Sequence, residues 1–264
     1  MTRPPTGASV VHGPDVPGRV LIVRSPMSLR PVLAVTSVGA LLLLTGCGAA
    51  AFGPSTTEER PADGVTAVEL STSGTLVVEH GDEPSLTVTA GRNVLAQLTS
   101  EVRDGVLVLD HDDRPGWSRT GVVEYRLVVD HLDAIRVEGS GGVQVDGEVA
   151  TGDELAVLVE GSGDVDVEGV DVDELDASNQ GSGRITLAGA AEVQRVTVAG
   201  SGGYDAAALR TREAAVAVEG SGDAVVDVTG TLDASVSGSG SVTHTGGARV
   251  TSDVDGSGSV REGS

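Results

Sequence analysis

The residues in this chain that could do chemistry are mostly carboxylates. Asp164, Asp166 and Glu168 alternate along one stretch, and Asp205 and Asp223 follow at related positions further on. Carboxylates gathered on one face can hold Ca2+, which prefers several oxygen ligands. A pair flanking a sugar can also cleave a glycosidic bond, one acting as acid and the other as base or nucleophile. Here the acids are scattered evenly instead of clustering, so the expected reading is a solvated acidic face with no metal site and no cofactor. The histidines, His12, His80, His111, His131 and His244, are far apart and show no ligand spacing. Gly200-Ser201-Gly202-Gly203 lacks both the dinucleotide glycine spacing and the Lys-Ser/Thr ending of a phosphate loop.

Two other spots carry chemistry of a different kind. Trp117, the single tryptophan, lies in a polar loop between Arg114 and Arg119. An exposed indole beside two guanidinium groups can stack on a sugar ring or on a protein partner; the alternative is that it folds back over the edge of the first structural unit. Cys47 is the only cysteine. It follows a short basic start at Met27-Ser28-Leu29-Arg30 and an apolar run from Pro31 to Leu44, too short for a comfortable membrane span. Leu44-Thr45-Gly46-Cys47 resembles the bacterial lipobox, which implies cleavage between Gly46 and Cys47 and a lipid on Cys47 that anchors the mature chain to the membrane. Residues 1–26 look wrong for the start of such a signal, so translation is expected to begin at Met27, with 1–46 removed as signal peptide.

The elements that position these side chains are announced by glycine. Gly-Ser-Gly begins at Gly139, Gly161, Gly181, Gly200, Gly220, Gly238 and Gly256, spaced 22, 20, 19, 20, 18 and 18 residues apart. Two places before each stand Val137, Val159, Asn179, Val198, Val218, Val236 and Val254; four places after each first Gly stand Val143, Val165, Ile185, Tyr204, Ala224, Val242 and Val260. Polar residues alternate with these, the mark of half-buried strands. A constant period of this length means one unit stacked on itself. The sequence therefore predicts an all-β, single-stranded β-solenoid (β-helix-like) whose coils of about 20 residues turn at the Gly-Ser-Gly corners. The glycines are expected to supply positive φ at the corners, and the serines to stack as a hydroxyl ladder.

This divides the chain into the signal at 1–46, a lipid-anchored flexible tether at 47–62, irregular first β coils with a cap at 63–131, and repeated coils at 132–264. Within the first of these β regions, Asn93 to Glu101 could form a helical turn, but its simpler reading is a crossing strand. No capping element follows the last corner, so the open edge there invites end-to-end self-association, tempered by Asp253, Asp255, Arg261 and Glu262.

Charge bounds the partners. From Cys47 onward the chain holds 13 arginines, no lysine and 38 Asp and Glu, a formal charge of about −25. Nucleic acid and anionic lipid headgroups would be repelled.

Arg92-Asn93-Val94-Leu95, Glu101-Val102-Arg103-Asp104-Gly105-Val106-Leu107, and the stretch from Val159 to Gly169 with its Gly-Ser-Gly resemble the auto-transporter adhesin head GIN domain, a domain of unknown function. The likeness covers about residues 65–260. It implies a right-handed solenoid on secreted or lipid-anchored bacterial proteins and defines no catalytic residues. The combined expectation is a non-enzymatic, extracytoplasmic lipoprotein of the cell envelope, displaying an acidic β-solenoid for binding, adhesion or scaffolding, with envelope polysaccharide or a membrane protein as partner. Two alternatives stay open: an envelope-sensing or regulatory subunit that meets a membrane protein through the 110–120 loop, and a carbohydrate-active β-helix enzyme.

Overall fold

A computed structural model describes residues 54–112 and 121–263. About 70% of it is strand, wound as a β-solenoid of about six turns with a spacing near 20 residues. Alternation of small apolar and polar residues dictates this, because every second side chain of a strand falls on the same face.

The first part of the chain forms β1 (Ser55–Arg60), β2 (Ala67–Leu70), β3 (Thr75–His80), β4 (Ser85–Gly91), a short helix α1 (Arg92–Leu95), β5 (Leu98–Arg103), β6 (Val106–His111) and β7 (Glu124–Val129). Then come β8 (Ala134–Val137), β9 (Gly142–Asp146), β10 (Thr151–Val159), β11 (Val165–Asn179), β12 (Arg184–Gly200), β13 (Gly203–Gly220), β14 (Asp223–Gly238), β15 (Ser241–Thr245), β16 (Arg249–Gly256) and β17 (Ser259–Glu262). The long strands β11 to β14 bend through several faces of the solenoid and pair in parallel with the coils before and after them.

Asn93 to Glu101 is not one crossing strand. It is the helical turn α1 followed by the start of β5. Val94 and Leu95 are both buried. Adjacent residues of a strand point to opposite faces, whereas a helical turn can bring two neighbours to the same core.

Three faces run along the stack. On the first, Leu109, Leu70, Val137, Val159, Asn179, Val198, Val218, Val236 and Val254 are register partners in one column. On the second, Tyr125, Leu76, Val143, Val165, Ile185, Tyr204, Ala224, Val242 and Val260 form another. Apart from Val254 and Val260, at the last coil, every member is buried. Full burial of a Val or Leu side chain is worth about 1.5–3 kcal/mol, so these columns hold the stack together. The third face contains Thr151, Asp171, Ala190, Arg210 and Asp227 in register.

Asn179 breaks the valine column without leaving a polar group unpaired. Its Nδ2 donates to the carbonyls of Gly183 at 2.7 Å and Gly203 at 3.0 Å, and its Oδ1 accepts from the Gly181 N–H at 3.2 Å. Deeper in the same stretch, Tyr204 Oη donates to Gln194 Oε1 at 2.9 Å, Gln194 Nε2 to Thr211 Oγ1 at 2.7 Å, and that hydroxyl to the Asp227 carbonyl at 3.0 Å. Buried polar groups must be paired in this way to avoid a desolvation cost of about 1–3 kcal/mol each. Burial pushes the Tyr204 phenol well above its ordinary range, so it remains a donor.

The corners depart from expectation in their physical cause. Gly139, Gly161 and Gly181 do not adopt positive φ, although Gly200, Gly220, Gly238 and Gly256 do. Close approach is the common requirement: a Cβ on Gly181 would strike the carbonyl of Gly161, and one on Gly222 would stand 2.6 Å from Val198 Cγ1 of the coil below. Nor do the serine hydroxyls form the ladder. Successive corners are tied by backbone bonds, such as Ser182 N–H to the Gly161 carbonyl at 3.0 Å and Ser221 N–H to the Gly200 carbonyl at 2.9 Å.

The first coils stack out of chain order. β2 lies between β6 and β8, and β3 lies between β7 and β9. The chain lays down β2–β3, leaves to form β4, α1 and β5, returns as β6–β7 on the outer side, and then crosses to β8–β9 on the inner side. Outside β6 and β7 the antiparallel strands β5 and β4 pair, with β1 on β4.

Candidate functional site

The acids singled out by sequence lie on the second face, but they do not converge. Asp166 and Asp205 share a row with Thr186 between them, and Asp164 and Asp223 are separated by Arg184 and Gly203. With coils ~4.8 Å apart, acids two coils apart stand ~10 Å from each other, too far to share an ion. These carboxylates instead bind neighbouring backbone. Asp164 accepts from the Arg184 N–H at 2.8 Å, and Asp223 from the Ser241 N–H at 3.0 Å and its hydroxyl at 2.5 Å. Gly46, Cys47, Arg114, Trp117 and Arg119 lie outside the described residues.

A different set of acids is brought together on the third face. An open groove of about 700 Å3 runs across the coils there, floored by Gly152, Val172, Ala190, Ala191 and Thr211. Asp153, Asp173, Glu192 and Arg212 line it, and the pairs on either side of them are in register: Gly152 with Val172, Ala191 and Thr211, and Glu154 with Glu174, Val193 and Glu213. One side chain per coil therefore stacks along the groove at ~4.8 Å spacing. Three carboxylates in a row repel one another and make a strip of negative potential. Arg212 closes that strip, with Nε 2.8 Å from Glu192 Oε2 and a second contact to Glu213. The hydrogen bond to Glu192 and then that to Glu213 raise the Arg212 pKa further, so its charge is permanent. Arg210 also lines the groove, and forms no ion pair with the described residues.

A second lobe, of about 630 Å3, shares Thr151, Gly152 and Asp153 and adds His131, Asp133 and Glu154. His131 sits with Nδ1 3.7 Å from Asp130 and Nε2 3.9 Å from Asp133. The combined groove is acidic at the His131 end and carries two arginines at the other. Carboxylates that accept and guanidinium groups that donate suit a hydroxyl-rich, extended ligand. A signal for this surface was present in the sequence, since Asp153, Asp173, Glu192 and Arg212 recur at steps of 20, 19 and 20 residues.

Comparison with solved structures gives the same architecture in three bacterial proteins. A "putative adhesin" from Bacteroides fragilis NCTC 9343 superposes with a TM-score of 0.73 at 21% identity, covering 79% of this chain and 97% of that one. A "putative lipid binding protein" from Parabacteroides distasonis ATCC 8503 reaches a TM-score of 0.65 at 23% identity, over 80% and 98%. A "putative adhesin" from Parabacteroides merdae ATCC 43184 reaches 0.63 at 22% identity, over 80% and 97%. No curated protein matches the chain. The family model described as "Putative auto-transporter adhesin, head GIN domain" matches residues 65–248, the span that holds the out-of-order first coils, the groove and most of the corners, and the chain belongs to that family.

Proposed function

We propose that this protein is a non-enzymatic binding module of the bacterial cell envelope, held to the membrane by a lipid on Cys47 and presenting the third-face groove to an extended envelope polysaccharide. The observation that carries the reading is the row Asp153, Asp173, Glu192 and Arg212, which crosses successive coils in a groove open along its length. Such a surface grips a polymer at several equivalent points. It does not enclose one bond between a proton donor and a nucleophile. Family membership supports a surface role, and the lipobox-like quartet supports the anchor. An acyl chain needs an apolar cleft, and the charged walls of this groove do not provide one.

The test is co-sedimentation of the chain lacking residues 1–46 with cell-wall polysaccharide from its own host. Saturable binding that drops tenfold or more in the Asp173→Asn, Glu192→Gln double variant is the expected result, with polymer length unchanged. Shortening of the polymer would make the protein an enzyme. Binding that ignores the double variant would remove the groove from the account. Separately, Cys47→Ser should abolish labelling by radioactive palmitate and release the protein from membranes.

A further inference from the structure

The fold assembles a set of metal-ligating side chains that the sequence keeps apart. His80 ends β3, Asp82 lies two residues on in the turn to β4, and Asp130 follows the last residue of β7. Pairing of β3 with β7 places His80 opposite Val129, and the Gly81 N–H donates to the Val129 carbonyl at 2.9 Å. One ligand atom from each of His80, Asp82 and Asp130 then lies within 4.8 Å of the others. All three residues are exposed, so an ion reaches them from solvent. Gly81 lets the turn lie close to β7: a Cβ there would stand 2.5 Å from Val128 Cγ1.

The histidine is also held in one tautomer. His80 Nδ1 lies 3.0 Å from the Asp130 backbone carbonyl, which can only accept, so Nδ1 carries the proton and Nε2 keeps its lone pair. An imidazole oriented through its other nitrogen by a backbone carbonyl is the arrangement that metal-binding histidines adopt.

We infer that His80, Asp82 and Asp130 form a binding site for a single divalent transition-metal ion, with Zn2+ as the fitting chemistry. One imidazole nitrogen and two carboxylates provide three of the four ligands Zn2+ takes, leaving one position for water. Ca2+ asks for about six to eight oxygens, which three side chains including an imidazole do not supply. The two carboxylates match the charge of the ion, and the ion joins the β3–β4 turn to the end of β7. This site is separate from the acids Asp164, Asp166 and Glu168, and it does not depend on the polysaccharide reading of the groove.

The test is calorimetric titration of the full-length chain in detergent with ZnCl2 alone. One ion per chain with a micromolar dissociation constant is expected, weakened tenfold or more in both His80→Ala and Asp130→Asn, with Asp164→Asn close to wild type. Absence of a stoichiometric site in the wild type, or equal binding by His80→Ala, would overturn the inference. Should His80→Ala or Asp130→Asn lose its fold, read by its thermal transition without metal, the wild type decides. Zn2+ must then shield His80 from diethyl pyrocarbonate, read by peptide mass spectrometry, while leaving His244 unaffected; no shielding of His80 would equally overturn it.

Discussion

The two ends of the solenoid solve the same problem differently. At the amino-terminal end the outermost parallel strands, β6 and β7, are covered by antiparallel β5 and β4, and Leu107, Leu109, Tyr125 and Leu127 are wholly buried. At the carboxyl-terminal end β16 pairs only with β14 and β17 only with β15 among the described residues. The columns that are buried everywhere else surface there, with Val254 42% exposed and Val250 and Val260 only partly buried. The lesson is that a core position in a repeat is made by its neighbours. The same valine, two places before the same corner, is core at Val236 and surface at Val254 because one has a coil on each side and the other does not.

Gly181→Ala against Gly258→Ala should break the two apart most strongly. A Cβ at Gly181 meets the Gly161 carbonyl with coils on both sides, and the cost should be about 3 kcal/mol or more. At Gly258 the added atom would stand 2.5 Å from both the Gly240 carbonyl oxygen and Val236 Cγ1, but the last coil has a neighbour on one side only and can move outward, and a smaller loss of about 1–2 kcal/mol is expected. Chemical denaturation of both variants measures this, and equal losses would mean that both ends are equally fixed. Next in size is Leu109→Ala, expected to cost about 3 kcal/mol, against about 1 kcal/mol for Val260→Ala, since only the first leaves a cavity in a closed core.

Between the ends, Gln194→Ala should cost about 2 kcal/mol because it strands Tyr204 Oη and removes the bond that Thr211 Oγ1 accepts, leaving that hydroxyl only its bond to the Asp227 carbonyl, while Tyr204→Phe should cost about 1 kcal/mol. Tyr204 also gives a pH signature. Its folded-state pKa is raised, so its contribution is intact below the unfolded tyrosine value of about 10 and declines as pH rises past it. Tyr204→Phe should therefore lose less stability between pH 9 and about 11 than wild type does. The smallest effect is dynamic and carries no mutation: backbone amides of β16 and β17 should exchange with solvent faster than those of β6 and β7. Equal protection would show that the last coil is held by something beyond its single neighbour.

The repeat was legible because close packing writes itself into sequence at fixed intervals. Glycine at each corner, valine two places before it and an apolar residue four places after its first Gly follow from coils stacked a strand's width apart, and those positions fixed the solenoid and its spacing in advance. Asn179 looked like an exception, and its three bonds to the corners explain why it is tolerated. The charged row on the third face was legible in principle, since its members keep the same period.

The sequence by itself thus determined the architecture, the acidity of the chain and the resemblance of Leu44-Thr45-Gly46-Cys47 to a lipobox, all of which depend on local pattern or composition. Only the tertiary structure decided that β2–β3 is sandwiched between strands that come later in the chain, that Val94 and Leu95 share one helical turn, and that His80 meets Asp130 across 50 residues. These depend on which non-neighbouring strands pair. Pairing partners outside a repeat are chosen by the sum of many side-chain contacts and leave no period to read.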